Sequence, residues 1–177
     1  MKFALQAEGM SMKNTLVFIH GLESTSLGNK AKYFRKAFPE MIIGDYTGSF
    51  GARMQKLKSV LAGKTHLILV GSSYGGLMAA RFALDNEPLI QKLILLAPAL
   101  TLEGFEQAVR QKLQIPTVLY HGTRDNIVPP MVVKAIAEKT FGRLEHHFVE
   151  DDHPLSAVFP TLPWPALLEQ GSAAETD

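Results

Sequence analysis

The stretch HLILVGSSYGGLMAARFAL, residues 66–84, carries the strongest structural signal in the chain. Residues 66–70 form a nearly continuous apolar run, which favours a parallel strand that is covered on both faces. Residues 71–75 read G-x-S-x-G, and the apolar and small residues that follow are typical of a helix. A strand, this pentapeptide and a helix, in that order, predict a sharp turn that lifts Ser73 out of the sheet.

The chemistry of serine explains why glycines flank Ser73. A serine hydroxyl is a weak nucleophile unless a base and a reacting carbon are held close to it, and a tight turn can present it to both. Gly71 and Gly75 stand where a Cβ would collide with neighbouring backbone. The helix that begins at this turn also directs its free N–H groups and positive dipole end towards it. A simpler interpretation, in which Ser72 or Ser73 only caps the helix, is also consistent with the pattern.

The composition of the chain excludes several classes of function. With 18 basic and 17 acidic residues the formal net charge is +1, which gives no electrostatic reason to expect a nucleic acid or membrane partner. There are no cysteines, so disulfides, thiolate metal sites and a cysteine nucleophile are excluded. Hydrophobic residues make up 46% of the 177 residues, which suits a single domain spanning residues 1–177. Neither a secretory signal nor a membrane span is recognisable, so a cytoplasmic protein is expected.

Between the chain ends, apolar runs of strand length alternate with segments of helical periodicity. The predicted strands are residues 15–19, 41–43, 66–70, 93–96, 117–120 and 144–149. The predicted helices are residues 29–38, 53–61, 77–86, 102–113, 129–140 and 166–169. This alternation predicts a three-layer α/β/α sandwich around a mostly parallel open sheet of about six strands. Residues 1–13 are either a leader or an edge strand, and residues 171–177 are expected to be a disordered tail.

Chemically useful side chains follow four of the predicted strands. His20 comes directly after the first strand, and Ser73, Asp125 and His153 each follow a later one. Because the carboxyl ends of parallel strands meet at one edge of a sheet, we expect these residues to lie close together. A serine, an aspartate and a histidine in this chain order supply a nucleophile, an orienting carboxylate and a base for acyl transfer.

In these four regions the chain resembles the α/β-hydrolase superfamily. The segments FIHGLES, VGSSYGG, YHGTRDNIVP and EDDHPL are similar to that family's oxyanion loop, nucleophile elbow, acid loop and histidine loop. Among its members, the chain most resembles small, capless serine esterases of the YqiA type, including the Lys30-Ala31 pair at a helix start. The resemblance covers about residues 14–160. The chain differs from larger members of the family in two ways. It lacks their first strands, and it has no insertion long enough for a cap domain.

The resemblance implies a role for each residue of the site. Ser73 would be the nucleophile, His153 the general base and acid, and Asp125 the carboxylate that orients the histidine. The backbone N–H groups of Leu22 and Tyr74 would form the oxyanion hole. No metal and no cofactor is implied.

Other residues compete for these roles. Asp151 and Asp152 neighbour His153 in sequence, although residues beside a histidine rarely reach its Nδ1 atom, and Asp45 is a weaker alternative acid. His20 and His121 are interpreted as structural, packing or hydrogen-bonding near the site. The adjacent histidines His146 and His147 are expected on opposite faces of a strand, and no metal motif surrounds them. Five residues are candidates for an acyl pocket, although core packing explains each equally well: Tyr46, Phe50, Leu100, Phe105 and Val128.

These observations favour a carboxylesterase-like serine hydrolase that cleaves small carboxylic esters. Its expected partner is a small-molecule acyl substrate. Thioesterase, peptidase and perhydrolase activities would use the same three residues and are alternatives. A non-catalytic binding protein on the same fold is a further alternative, since a fold does not fix a function. Only about twenty residues separate the predicted strands 93–96 and 117–120, too few for a crossover helix and a lid. We therefore expect an open site that prefers acyl groups of roughly two to six carbons.

Overall fold

The computed structural model describes residues 13–169, and its centre is a six-stranded sheet. The strands are β1 Thr15–Ile19, β2 Ile42–Ile43, β3 Leu67–Ser72, β4 Ile90–Leu96, β5 Leu113–Gly122 and β6 Phe141–Val149. Their order is β2-β1-β3-β4-β5-β6, and every pair of neighbours is parallel. The predicted α/β sandwich with a parallel sheet is confirmed. The expected leader or edge strand at residues 1–13 lies outside the described residues except for Lys13, and the expected tail at 171–177 lies wholly outside them.

Helices connect the strands and cover both faces of the sheet. They are α1 Asn29–Ala37, α2 Phe50–Leu61, α3 Tyr74–Asn86, α4 Phe105–Ala108, α5 Pro130–Thr140 and α6 Trp164–Leu167, with 3₁₀ turns at Glu87–Leu89 and Phe159–Thr161. Within residues 13–169, none of these helices has the length and apolar character that a membrane crossing requires.

Each face of the sheet is buried in its own apolar core. Successive residues of a strand point to opposite faces. In β3, Leu67 and Leu69 pack in the core that contains residues of α2, α3 and α5, whereas Ile68 and Val70 pack in the core that contains residues of α1 and α6. All four side chains are fully buried, which explains why this strand is a continuous apolar run.

The strand order reverses between β1 and β3, since β2 lies on one side of β1 and the remaining strands continue on the other. In open α/β sheets the crevice beyond the carboxyl ends of the strands at such a reversal is the usual place for a ligand. Gly21 and Ser73 follow these two strands, and a Cβ built on Gly21 would stand 3.5 Å from the Cβ of Ser73. The topology therefore brings the first and third loops into contact.

The connection from β4 to β5 differs from the prediction. The helix predicted over residues 102–113 is wrong for most of its length, because only the single turn α4 is helical and Leu113 already begins β5. Leu113 and Ile115 are buried while Gln114 between them is exposed, which is the alternation of a strand. These apolar residues pack in the core in an extended conformation, and the whole connection is confined to residues 97–112.

Helix α2 begins earlier than predicted, at Phe50 instead of residue 53. Ser49 is its N-cap, and the hydroxyl oxygen accepts a hydrogen bond of 3.3 Å from the N–H of Ala52. This cap satisfies one of the free N–H groups of the first turn, so the helix can start directly after the glycine-rich loop. Arg53 consequently lies inside the helix and not at its start.

Candidate active site

Ser73 occupies the turn between β3 and α3 in a backbone conformation that side chains rarely adopt. Its φ is 54° and its ψ is −115°, a strained combination that persists only where the surrounding structure imposes it. Its N–H donates to the carbonyl of Leu96 at 2.8 Å. Its own carbonyl accepts from the N–H groups of Gly76, Leu77 and Ala99 at 2.9, 3.1 and 3.0 Å. Four hydrogen bonds therefore hold this conformation in place.

The flanking glycines permit close approach of the backbone segments around Ser73. A Cβ on Gly71 would lie 2.5 Å from the carbonyl oxygen of Gly75. A Cβ on Gly75 would overlap with the carbonyl oxygen of Ile19, the last residue of β1. The start of α3 thus packs with its backbone directly against β1 and β3, as the G-x-S-x-G pattern predicted.

The structure brings the predicted serine, histidine and aspartate together as a hydrogen-bonded chain. The Nε2 atom of His153 lies 2.9 Å from Oγ of Ser73, and its Nδ1 atom lies 2.7 Å from Oδ2 of Asp125. The other carboxylate oxygen of Asp125 accepts hydrogen bonds from the N–H groups of Ile127 and Val128, at 2.9 and 2.8 Å. The carboxylate is therefore held at both oxygens, and the imidazole at both nitrogens.

The environment of Asp125 favours the ionised carboxylate. Burial of its side chain opposes ionisation, but the N–H groups of Val128 and Ile127 and the His153 ring outweigh burial and hold the pKa of Asp125 below its usual value. An ionised, fixed carboxylate is the form that can orient a neighbouring imidazole and stabilise its protonated state.

The competing carboxylates have other partners. The Asp151 carboxylate turns back into its own loop, where it accepts hydrogen bonds from the N–H groups of Asp152, Ala157 and Val158 at 2.8, 3.0 and 2.9 Å. Asp45 accepts from the N–H and the hydroxyl of Ser26, at 2.6 and 2.9 Å. Asp151 thus shapes the loop that carries His153 without contacting the imidazole ring.

Lys30 ties the start of α1 to the loop that carries His153. Its Nζ atom donates to the carbonyl of Pro154 at 2.5 Å and lies 5.5 Å from the centre of the Phe159 ring. Burial lowers the pKa of Lys30, while the carboxylate of Asp151 acts in the opposite direction. The Lys30-Ala31 pair that contributed to the sequence resemblance therefore has a structural role beside the site.

His121 contacts the carboxylate of Asp125 from inside the protein. Its Nε2 atom lies 3.0 Å from Oδ2 of Asp125 and 3.1 Å from the carbonyl oxygen of Val128. Since both neighbours are acceptors, Nε2 carries the proton and donates to them. The ring is fully buried, its Nδ1 atom has no partner among the described residues, and burial lowers the pKa of His121. His121 is therefore a neutral donor to the oxygen that also contacts His153, a connection that no sequence pattern indicated.

Of the two predicted oxyanion donors, Leu22 lies in the loop after β1, and Tyr74 directly follows Ser73. Tyr74 is the first residue of α3, so its N–H has no acceptor within the helix. The loop with Leu22 is fixed by the buried His20, whose Nδ1 atom donates to the carbonyl of Gly21 at 2.8 Å. The Nε2 atom of the same ring accepts from the N–H of Tyr46 at 3.0 Å. His20 therefore links the loops after β1 and β2, in line with its interpretation as a structural residue.

A cavity of about 650 Å³ opens at Ser73 and His153. Of the five predicted pocket residues, only Val128 lines it. The prediction is wrong for the other four: Tyr46, Leu100, Phe105 and Phe50. The first three are fully buried in the core, and Phe50 packs edge-on against Tyr74 at 5.7 Å between ring centres. The apolar walls are formed instead by Leu22, Leu102 and Ile127, which are 50%, 45% and 68% exposed. An apolar residue near a strand end can serve core or cavity, and only the packing distinguishes the two.

Between residues 13 and 169 there is no group of three or more His, Asp or Glu side chains that could hold a metal ion. His146 and His147 point to different surroundings, since His146 lies 4.4 Å from the Phe148 ring and His147 stacks at 4.7 Å on Tyr120.

Comparison with known proteins identifies the fold. No protein-family model matches the chain, and no curated protein sequence matches it. Est1E from Butyrivibrio proteoclasticus matches with a TM-score of 0.71 at 16% identity, over 91% of this chain and 88% of Est1E. Alpha/beta hydrolase domain-containing protein 10 from mouse matches with a TM-score of 0.68 at 20% identity, over 82% and 84% of the two chains. The Paleococcus ferrophilus monoacylglycerol lipase matches with a TM-score of 0.69 at 16% identity, over 89% and 97%. The chain therefore has the α/β-hydrolase fold.

Proposed function

We propose that this chain, whose fold is that of the α/β-hydrolases, is a serine hydrolase that cleaves small carboxylic esters through an acyl-enzyme on Ser73. The observation that carries the proposal is the His153 ring, which lies 2.9 Å from the Ser73 hydroxyl and 2.7 Å from the Asp125 carboxylate. With its Nδ1–H donated to Asp125, the ring has a free electron pair at Nε2, directed at the hydroxyl proton. This is the arrangement that turns a serine into a nucleophile.

The first half of the reaction forms the acyl-enzyme. His153 takes the hydroxyl proton of Ser73 while Oγ bonds to the carbonyl carbon of the ester, and the carbonyl electron pair moves onto oxygen. When this tetrahedral intermediate collapses, the bond to the leaving oxygen breaks. The imidazolium of His153 donates its proton to that oxygen, and an alcohol leaves.

The second half repeats these steps with water. His153 takes a proton from water as the water oxygen bonds to the acyl carbon, and the second tetrahedral intermediate releases a carboxylic acid. The proton returns from His153 to Oγ of Ser73. Asp125 stays ionised throughout and stabilises the imidazolium in both halves.

The negative oxygen of each tetrahedral intermediate needs donors that are already in place. The backbone N–H groups of Leu22 and Tyr74 are the donors in this proposal, and the positive end of the α3 dipole acts in the same direction. Backbone donors on loops that the surrounding hydrogen bonds hold rigid need little reorganisation when the charge appears.

The cavity supports a small acyl substrate. Its apolar walls, Leu22, Leu102 and Ile127, are themselves about half exposed or more, so they form an open rim and not a closed tunnel. Each buried methylene contributes about 0.8 kcal/mol, and carbons that extend beyond the rim contribute little. A short acyl chain therefore already makes most of the apolar contacts that the walls of the cavity can offer.

The test is a panel of p-nitrophenyl esters and acyl-CoA thioesters, measured with the wild-type protein and with Ser73→Ala. We expect ester hydrolysis that Ser73→Ala lowers by several orders of magnitude, since only binding and oxyanion stabilisation remain. Labelling by a fluorophosphonate probe should disappear in the same variant. A preference for thioesters would change the substrate class but keep the mechanism.

Ser72→Ala is the matched control, because Ser72 is the neighbouring residue and also lines the cavity. It should retain labelling and most of the activity. If Ser72→Ala abolishes labelling while Ser73→Ala retains it, the nucleophile has been assigned wrongly. A wild-type protein that neither reacts with the probe nor hydrolyses any substrate of the panel would favour a non-catalytic member of the fold.

A further inference from the structure

Arg53, on helix α2, is a buried cation without an anionic partner in the part of the chain that the structure describes. The residue is 5% exposed, and it is the only arginine or lysine that is buried among residues 13–169. It forms no ion pair with a carboxylate of the described residues. Its Nη1 atom is buried and has no hydrogen-bond partner among them. Since an arginine stays protonated in proteins, the positive charge is present, and no carboxylate of residues 13–169 is in ion-pair contact with it.

The guanidinium contacts both residues whose backbone N–H groups are the proposed oxyanion donors. Its Nη2 atom donates to the carbonyl oxygen of Leu22 at 3.3 Å, and its Nε atom donates to the carbonyl of Gly48 at 3.0 Å. Its Cζ atom lies 5.5 Å from the centre of the Tyr74 ring. Leu22 and Tyr74 are the two residues whose backbone N–H groups face the substrate oxygen in the proposed mechanism. Arg53 thus connects the loop after β1 with the first residue of α3.

An acidic group, Glu103, lies on the other side of the Tyr74 ring from Arg53. The Tyr74 hydroxyl donates to the exposed Glu103 at 2.6 Å. Burial and the Glu103 carboxylate raise the pKa of Tyr74 to about 12, against the opposing effect of Arg53. The phenol therefore stays neutral, and it separates the carboxylate from the guanidinium. A charge buried in this way is costly for the folded protein, which calls for a compensating use.

We propose that Arg53 is a positioning residue of the oxyanion hole, which holds Leu22 and Tyr74 in register and adds its positive charge to the electrostatic field at the oxyanion. This inference rests on the proposed function, because it assigns a role within the same site. In a poorly solvated region a fixed charge acts strongly on charge that develops nearby. The positive charge raises the energy of the resting protein and is partly neutralised only when the substrate oxygen becomes negative. Arg53 therefore favours the transition state over the bound ester.

The test compares Arg53→Met, which keeps the length of the side chain but removes the charge, with Arg53→Lys, which keeps the charge. Arg81→Met is the control, because it makes the same change in net charge at a partly exposed position of helix α3. For p-nitrophenyl acetate we expect Arg53→Met to lower kcat by about tenfold to a hundredfold with little change in KM, less than the loss of a direct oxyanion donor causes. Arg53→Lys should recover part of that loss, and Arg81→Met should behave as wild type.

Two further measurements separate this role from a merely structural one. An alkylboronic acid forms a negatively charged tetrahedral adduct with serine, so its affinity should fall in Arg53→Met by about the same factor as kcat/KM. The unfolding temperature of Arg53→Met should equal or exceed that of the wild type, because an unpaired buried charge has been removed.

The inference and the proposed function fail in different ways. If the wild type reacts with a fluorophosphonate and hydrolyses the ester, but Arg53→Met matches it in kcat and boronate affinity, the role of Arg53 is wrong. The same conclusion follows if the activity loss is accompanied by a proportional loss of folded protein and Arg53→Lys recovers nothing. If the wild type itself neither reacts nor hydrolyses, the proposed function is wrong and Arg53 loses its role with it.

Discussion

His153 and Asp125 are joined by a hydrogen bond of 2.7 Å between Nδ1 and Oδ2, although the two residues are 28 positions apart in the chain. The bond crosses from the loop after β6 to the loop after β5. It fixes the orientation of the imidazole ring, so that Nε2 faces Ser73 at 2.9 Å. The proposed chemistry depends on this link, because a ring that rotates freely cannot act reliably as a base.

Asp125→Asn should lower kcat by about three to four orders of magnitude, the scale known for neutralisation of such a carboxylate in serine proteases. An asparagine at this position cannot stabilise the imidazolium, and its amide group favours the wrong tautomer of His153. Steady-state kinetics with a short p-nitrophenyl ester measure the effect. Asp152→Asn is the control, and it should change kcat little because that residue is exposed. Equal losses in the two variants would contradict the assignment of the acid.

His121→Met should lower kcat by about tenfold, because a buried hydrogen bond to a charged group is lost. Asp125 would then have one donor fewer at Oδ2, so the carboxylate that orients His153 would be held less firmly. Steady-state kinetics with a short p-nitrophenyl ester measure the loss. The groups that face His121 are Asp125 and His153, with His146 nearby on β6.

His121→Gln is the matched variant, since the amide nitrogen of glutamine can take the place of Nε2 as a donor. It should restore most of kcat. If the two variants lose stability and activity to the same extent, His121 acts only in packing.

His146→Val should make the free energy of unfolding less sensitive to acid. Both ring nitrogens of His146 are buried without partners among the described residues, and burial lowers its pKa, with Lys134 acting in the same direction and Glu138 against it. A histidine with a lowered pKa in the folded state contributes its full stability above its unfolded value of about 6.5.

As the pH falls below that value, the unfolded chain binds the proton first and stability is lost, by at most about 1.4 kcal/mol per pH unit for each such group. Urea unfolding at pH 7.5 and at pH 5.5 measures this difference. His121 contributes in the same direction in both proteins, so the loss in His146→Val should be smaller than in the wild type but not zero. An unchanged loss between the two pH values would contradict the prediction.

The dependence of kcat/KM on acyl length should rise only over roughly the first two to six carbons, since further methylenes find no apolar wall to cover them. Residues 97–112, which connect β4 and β5, contain only the one-turn helix α4, and their Leu102 is a half-exposed wall of the cavity. The measurement uses p-nitrophenyl esters from acetate to laurate, below and above their solubility limits. A steady rise to laurate, or a jump in rate at the substrate interface, would show that a deeper channel exists.

Much of the fold followed from the order of apolar runs and glycines. Residues 66–70 predicted a strand buried on both faces, and Leu67 to Val70 are fully buried in two cores. The G-x-S-x-G pattern predicted the backbone of the turn, because only glycine allows the approach seen at Gly71 and Gly75. The chain order of Ser73, Asp125 and His153 predicted that their side chains would meet, and they do; their catalytic role stays a prediction.

What the sequence could not determine was the partner of each buried side chain. The apolar character of Leu100 and Phe105 predicts that both side chains are shielded from water. A core position and a cavity wall both provide such shielding, and in the structure both residues pack in the core. The helix predicted at residues 102–113 failed for the same reason, since Leu113 and Ile115 are apolar in either conformation. Arg53 resembles any other cation of an amphipathic helix until its contacts with Leu22 and Tyr74 are known. Burial is a local property that the pattern of residue types reflects, whereas such contacts join distant segments and exist only once the chain has folded.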